Sequence, residues 1–297
     1  MSEETTQRSK PSRWRRIFWM LAGALMLTII GKALIPDLAA VGQERIALIR
    51  IEGPILDSQA TVGELKQFGE DPLVKAIVLR IDSPGGGVAP SQEIYNAVKR
   101  VRKENHKTIV TSMGTVAASG GYYIAVASDR ILANPGSLTG SIGVIMQLAN
   151  FQELMEKIGI KNTVIKSGRY KDVGSPFRPM SEDEQVYLQA VMDDAHRQFI
   201  EAVAEGRSLD IADVEVLADG RIFTGQQAKD VLLVDELGDL QQAIKLAADM
   251  SGMKDHPYVI ENQKPFSFRE ILGSRFFGDT SLLPIPTGLS LMYFMTL

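Results

Sequence analysis

The chain has 297 residues, 45% of them apolar and 23% charged, with 26 glycines, 13 prolines, three histidines and no cysteine. That balance excludes low-complexity disorder, collagen-like repeats, a thiol nucleophile and a disulfide framework, and three scattered histidines are a poor basis for a metal site. The net charge of −4 is uneven: residues 1–16 hold five Lys/Arg against two Glu, which leaves the rest of the chain at −7 and argues against broad nucleic-acid binding.

The basic segment (Arg8, Lys10, Arg13, Arg15, Arg16) runs into an uncharged, largely apolar stretch from Ile17 to Gly31, followed by Lys32 and Ala33-Leu34-Ile35. With Lys32 snorkelling to the far interface, residues 17–35 span roughly 28 Å at ~1.5 Å per residue, enough for a bilayer core. Trp14 and Trp19 then sit at the near interface, and the positive-inside rule puts residues 1–16 in the cytoplasm and everything after residue 40 across the membrane. The expectation is a retained single-pass anchor over 17–35. A cleaved signal, with Ala39-Ala40 as the nearest small-residue site, and a buried core helix are the alternatives.

Beyond residue 40, RIALIRI (45–51) and KAIVLRI (75–81) read as strands with the helical pattern VGELKQF between them. A helix is predicted from Pro90, a favoured first helical position, with Ile94, Ala97, Val98 and Val101 on its apolar face. A third strand is predicted over Thr108–Ser112, and short strands over 130–133, 142–146 and 162–166. Strands alternating with helices imply an α/β domain around a parallel sheet. The longest helix opens with the capping box Ser181/Glu184 and carries the stripe Leu188, Val191, Met192, Ala195, Phe199, Val203. An αβα stretch covers 209–252. One extracytoplasmic domain over 41–297 is expected, ending in the apolar tail 282–297.

Three glycine-marked segments carry the possible chemistry. The first, Asp82-Ser83-Pro84-Gly85-Gly86-Gly87-Val88, follows a strand and precedes a helix, where glycines let backbone N–H groups approach a ligand. It has neither dinucleotide-loop nor phosphate-loop spacing, and a simple tight connection is the alternative. In the second, MGTVAASGGYY (113–123), Ser119 stands between Ala-Ala and Gly-Gly with little steric cover. Ser119 is either an exposed nucleophile with helix N–H groups beside it or an N-cap in a glycine-rich turn.

A serine nucleophile needs a base. His106 lies in a solvated charged run, His196 borders the apolar stripe, and His256 sits in a polar turn before a late strand; none has motif support. The third segment, Ser167-Gly168-Arg169-Tyr170-Lys171-Asp172-Val173-Gly174-Ser175-Pro176, supplies a lysine. In a polar loop a lysine is normally just solvated. It becomes a base when burial or cationic neighbours lower its pKa toward neutrality, giving a candidate Ser–Lys dyad.

The motifs DSPGGGV, MGTVAASGGYY, NPGSLTGSIGV and SGRYKDVGSPFRPMSEDE, in this order, resemble the signal peptide peptidase A family, in its short single-protease-domain bacterial form. The resemblance covers most of residues 45–250. It implies a crotonase/Clp-protease-like fold of stacked ββα units, Ser119 as nucleophile, Lys171 as general base, and Gly86 and Gly120 as oxyanion-hole donors. Ser167 is placed to orient the lysine amine. The resemblance also implies a homo-oligomeric ring, octameric by analogy, in which Ser119 of one copy meets Lys171 of the next. Implied substrates are signal-peptide remnants and other extended apolar peptides, with no metal or organic cofactor, at the bacterial inner membrane.

The competing readings are an inner-membrane peptidase of the same dyad type acting on misfolded membrane proteins, a crotonase-like coenzyme A enzyme, and a catalytically silent membrane scaffold. For the tail 282–297, packing on the body stands against entry into the substrate groove as a remnant-like peptide.

Overall fold

Continuous apolar runs such as Ile46-Ala47-Leu48-Ile49 bury every residue, as expected of a strand covered on both faces. The computed structural model, describing residues 14, 18–24, 26, 42–253, 257–262 and 292–295, shows how that cover is built. The chain divides into two compact units, residues 1–43 and 44–297.

In the first unit residues 18–24 are helical, with Phe18, Trp19, Met20 and Leu21 exposed. Among the described residues no helix is long and apolar enough to cross a membrane. Most of the expected 17–35 anchor, with Lys32 and the Ala39-Ala40 site, lies outside the described residues.

The second unit begins with β1 (Arg45–Glu52), α1 (Gln59–Glu70), β2 (Val74–Ser83), β3 (Gly85–Gly87), α2 (Val88–Glu104), β4 (Thr108–Ala118) and α3 (Gly120–Ala125). It continues with β5 (Arg130–Ala133), β6 (Leu138–Gly140), α4 (Gln152–Lys157), α5 (Glu182–Arg207) and α6 (Ile211–Leu217). The remainder is β7 (Ile222–Thr224), α7 (Gly225–Asp230), β8 (Glu236–Leu237), α8 (Leu240–Met250), β9 (Tyr258–Glu261) and β10 (Met292–Phe294).

The main sheet has the order β7-β6-β4-β2-β1-β9, with β5 also on β4 and β8 on β5. All its pairings are parallel except β6 with β7, so the sheet is mixed where the sequence pattern implied a parallel one. Side-chain alternation sends Ala47, Ile49, Ile77 and Leu79 into a large core that also holds Leu65 of α1, Val98 of α2, Ile124 of α3 and Phe199 of α5. The opposite face, with Ile46, Leu48, Ala76 and Val78, is covered by Ala243, Ile244, Ala247 and Ala248 of α8.

β1 and β2 run slightly beyond the predicted 45–51 and 75–81, and four differences from the sequence reading are larger. The helix predicted from Pro90 starts two residues earlier at Val88. Proline costs nothing in the first turn, whose N–H groups have no intrahelical partner in any case. The strand predicted over Thr108–Ser112 runs on to Ala118, pairing with β5 at Val110–Ser112 and with β6 at Val116–Ala118. Of 142–146 only Ile145 makes a bridge, to Met292. No strand forms over 162–166, which is exposed throughout and finds no sheet edge.

Candidate active site

Parallel strands deliver their carboxyl ends to one side of a sheet, and here β1, β2 and β4 bring three glycine-bearing connections together. Between β2 and β4 the register slips: Ile81 faces Met113, yet Ser83 faces Ala117. Asp82 fills the slip. Its carboxylate accepts the Val116 N–H at 3.1 Å and leaves room only for a glycine at 114, where a methyl would lie 2.7 Å from it. The acid of the first motif therefore shapes the backbone leading to Ser119.

Ser119 is fully buried at the head of α3, with φ 52° and ψ −116°. A side-chain-bearing residue in that region costs of order 1–3 kcal/mol. The Ser119 N–H donates to the Gly140 carbonyl (2.8 Å), and the Ser119 carbonyl accepts from the Tyr123 N–H (2.8 Å). Ser119 thus stands at the N-cap position, but its hydroxyl caps nothing: Oγ is buried and makes no hydrogen bond.

Gly120 and Gly86 are in mutual contact. A methyl on Gly120 would lie 2.5 Å from Ser91 Oγ and 3.2 Å from the Gly86 nitrogen; one on Gly86 would lie 2.1 Å from the Ile55 carbonyl oxygen. Ile55, just beyond β1, holds β3 by one edge: its N–H donates to the Gly85 carbonyl (2.9 Å), and its own carbonyl accepts from the Gly87 N–H (2.8 Å). Because alternate residues of a strand address opposite edges, the Gly86 N–H faces away from Ile55.

The free edge carries β10. It runs antiparallel to β3 with Tyr293 opposite Gly86, and the Met295 N–H donates to the Pro84 carbonyl at 2.9 Å. On its other side Met292 exchanges hydrogen bonds with Ile145. Residues 292–295 of the apolar tail are therefore seated between β3 and Ile145, and the remaining residues of 282–297 lie outside the described residues. The Tyr293 side chain is fully buried. Its ring meets those of Phe199 (4.8 Å) and Tyr123 (5.2 Å), and its hydroxyl donates to the Ala195 carbonyl at 3.0 Å. Burial pushes the Tyr123 phenol up to about 12 and that of Tyr293 higher still.

Lys171 and Ser167 are elsewhere. Both are exposed in the irregular stretch between α4 and α5, and among the described residues the Lys171 amine has no hydrogen-bond or ion-pair partner. The chain by itself does not bring Lys171 to Ser119. Its loop is nonetheless anchored: Arg178 Nε donates to Asp172 (2.9 Å) and Nη1 to Glu184 (2.8 Å), and Glu184 also accepts the Ser181 N–H (3.0 Å) in the predicted capping box at the start of α5. The Arg178 hydrogen bonds are the main cause holding the Glu184 carboxyl down at about 2, and they hold Asp172 lower. Exposed apolar side chains crowd this region, among them Phe151, Ile158, Ile165, Tyr170 and Phe177.

No histidine serves Ser119 among the described residues. His106 is exposed, His196 lies on α5 with Nε2 unpaired, and His256 is outside the described residues. A surface depression of about 610 Å³ between α2 and the end of α5 contains none of the predicted site residues, and its Lys99 and Arg102 are paired with Glu205 and Asp129. Sequence reasoning missed Ile55 and the pocket around Tyr293. The Gly53-Pro54 break ahead of Ile55 and the two tyrosines after Gly121 were the available signals.

Comparison with known proteins is consistent with this geometry. The sequence model of peptidase family S49 matches residues 101–254, and that of Clp protease matches residues 41–138. A protein of Synechocystis sp. with a provisional protease name is 42% identical over 254 residues, 84% of this chain and 89% of that one. A provisionally named protease of Methanocaldococcus jannaschii is 38% identical over 205 residues (69% and 65%). A provisionally named signal peptide peptidase of Enterococcus faecium is 41% identical over 181 residues (61% and 52%). The chain thus spans most of the first relative and between half and two thirds of the other two.

Proposed function

The chain belongs to peptidase family S49, with a Clp-protease-like α/β fold, and from that premise we propose that it is a membrane-anchored serine endopeptidase for extended apolar peptides, signal-peptide remnants among them. The observation that carries this reading is Ser119: a buried hydroxyl with no partner, held in a strained backbone conformation beside the Gly86 and Gly120 amides.

In this mechanism neutral Lys171 removes the Ser119 proton as Oγ attacks a peptide carbonyl carbon. The Gly86 and Gly120 N–H groups hold the resulting oxyanion, contacts of a kind worth roughly 3–4 kcal/mol each. The protonated amine passes its proton to the leaving nitrogen, and water then releases the acyl group by the reverse path. Ser167 orients the amine.

The lysine comes from a neighbouring copy in a ring, octameric by family resemblance. Two features support this: Lys171 is exposed on a firmly anchored loop, and the same region presents apolar side chains that lack cover in the single chain. Residues 17–35 form the anchor, with the basic residues 1–16 on the cytoplasmic face of a bacterial inner membrane and the peptidase unit on the other. Exposed Phe18, Trp19, Met20 and Leu21 on a helical turn support that placement.

The test is complementation. Ser119→Ala and Lys171→Ala proteins are each expected to be inactive and unlabelled by a serine-directed covalent probe, and mixing them under subunit exchange restores part of the activity. Labelling of Ser119 that persists in Lys171→Ala sinks the dyad. Absence of recovery despite demonstrated exchange sinks the shared site.

A further inference from the structure

The interruption in the β2–β4 ladder separates the regular part of the sheet from the residues of the site. From Ile81 to Ser83 β2 advances two residues, while their partners on β4, Met113 and Ala117, stand four apart. The two extra residues of β4 find no backbone acceptor on β2. The one carbonyl between Ile81 and Ser83, that of Asp82, faces the other way and accepts the Gly53 N–H at 2.9 Å. The Ser119 N–H faces β6, so by alternation along the strand the Val116 N–H faces β2. There the Asp82 carboxylate accepts it at 3.1 Å, standing in for the missing carbonyl. On the same stretch Arg80 donates to the Met113 carbonyl (2.9 Å) and Ser137 to the Gly114 carbonyl (2.6 Å). A shift of two residues leaves every side chain on its own face, so the apolar pattern does not oppose closing the interruption. In the closed register Ser83 would face Thr115, and Ser119 would move by two residues, about 6–7 Å, relative to Gly86. Side-chain bonds oppose that shift, and Asp82 is the residue that reaches from the strand of Gly86 to the segment carrying Ser119.

We propose that Asp82 is a positioning residue for the reaction: its carboxylate holds the two-residue excess of β4 and so sets Ser119 and Gly120 against Gly86. The inference rests on the proposed peptidase activity and adds a residue to it. Loss of the carboxylate slows the chemical step and leaves peptide binding in place. The two effects separate because the two halves of the site are held differently. β3 is braced from the β1 side by the backbone of Ile55, through Gly85 (2.9 Å) and Gly87 (2.8 Å), and no side-chain change at Asp82 removes those bonds. Ser119 and Gly120 come from beyond the interruption, where the Val116 N–H depends on a side chain for its partner. Misplacing reacting groups by about 1 Å costs on the order of 100-fold in rate.

The experiment compares full-chain Asp82→Asn and Asp82→Ala with the parent protein on one extended apolar peptide. Asparagine keeps an oxygen for the Val116 N–H, and alanine removes it. Asp82→Ala is expected to lose about 30-fold or more in kcat with KM nearly unchanged, and Asp82→Asn to recover most of that loss. A kcat for Asp82→Ala equal to the parent's, an equal loss in both variants, or a loss that appears in KM instead overturns the role while leaving the peptidase standing. A parent protein that cleaves no extended apolar peptide refutes the activity on which the role rests. Hydrogen exchange in the parent supplies a second measurement that requires no variant to fold. The Val116 amide is expected to exchange as slowly as that of Val110, in the uninterrupted part of β4. Exchange at Val116 about 100-fold faster than at Val110 shows an N–H that the carboxylate does not hold, and overturns the inference.

Discussion

The backbone N–H of Ser119 donates to the carbonyl of Gly140 at 2.8 Å, so the first residue after β4 is fixed by the last residue of β6. That bond holds a serine at φ 52°, a conformation glycine takes freely and alanine does not. Ser119→Gly is therefore expected to be more stable than Ser119→Ala. Strain relief of order 1–3 kcal/mol, less the ~0.5–1 kcal/mol entropic cost of an added glycine, leaves it about 1 kcal/mol above Ser119→Ala. Urea unfolding midpoints of the two measure this, and a less stable glycine variant shows that the backbone stores no strain there.

Gly120→Ala and Gly86→Ala are both expected to lose at least 100-fold in kcat and to destabilise the fold by about 1–3 kcal/mol through overpacking. Their rescue differs. The nearest atom to a methyl on Gly120 is the side-chain oxygen of Ser91, whereas a methyl on Gly86 meets the backbone of Ile55. Adding Ser91→Ala recovers stability in the first case and none in the second. Equal recovery in thermal unfolding of the two double variants contradicts the packing described.

Arg178 ties the Lys171 loop to α5 through Asp172 and Glu184. Both carboxyls lie below their ordinary range, so the anchor contributes fully above about pH 4 and is lost only as pH falls toward about 2, where Glu184 titrates. Arg178→Gln is expected to lower activity on the order of 10–100-fold by misplacing the loop, with the core unaffected. Hydrogen exchange over residues 166–180 is expected to be slow in the parent protein and fast in the variant between pH 5 and 8. Equal rates at pH 7 rule out the anchor.

The end of α5 is fastened by another pair. Arg207 donates to both Asp235 oxygens at 2.8 and 3.0 Å, and Asp235 also accepts the Ile131 N–H. The side chains are 8% and 14% exposed, so removing one charge strands the other. Asp235→Asn is expected to cost about 3 kcal/mol, a fall of roughly 6–12 °C in Tm for a domain of this size. A change under 2 °C places the pair among surface ion pairs of little consequence.

The central strands, the capping box of α5 and the place of the first glycine motif between a strand and a helix were legible in the sequence. Each follows from a local rule: continuous apolar runs, Ser181 three residues before Glu184, and glycines where a backbone must approach another. What escaped was set by distant partners. Nothing near Ile55 says that its backbone will brace Gly85 and Gly87, and nothing in LSLMYFMTL says that Tyr293 will stack on Tyr123, 170 positions earlier in the chain. The 162–166 run has strand-like composition but no sheet edge within reach, so its periodicity led nowhere. The residues alone offer Ser119 and Lys171 as a candidate dyad and the family resemblance gives them their roles in neighbouring copies; the fold of a single chain leaves them apart.

Gly85, Gly86 and Gly87 offer no side chains to β10 or to any other strand along the edge that Ile55 leaves, so that edge is blind to the letters of a guest's sequence. It responds to posture: a guest must arrive stretched, with amides and carbonyls not already paired. A helix or an interior strand of a folded protein has none to offer. In the peptidase proposed above, three consecutive residues without side chains would act as a sieve for unfolded chain and spare intact neighbours.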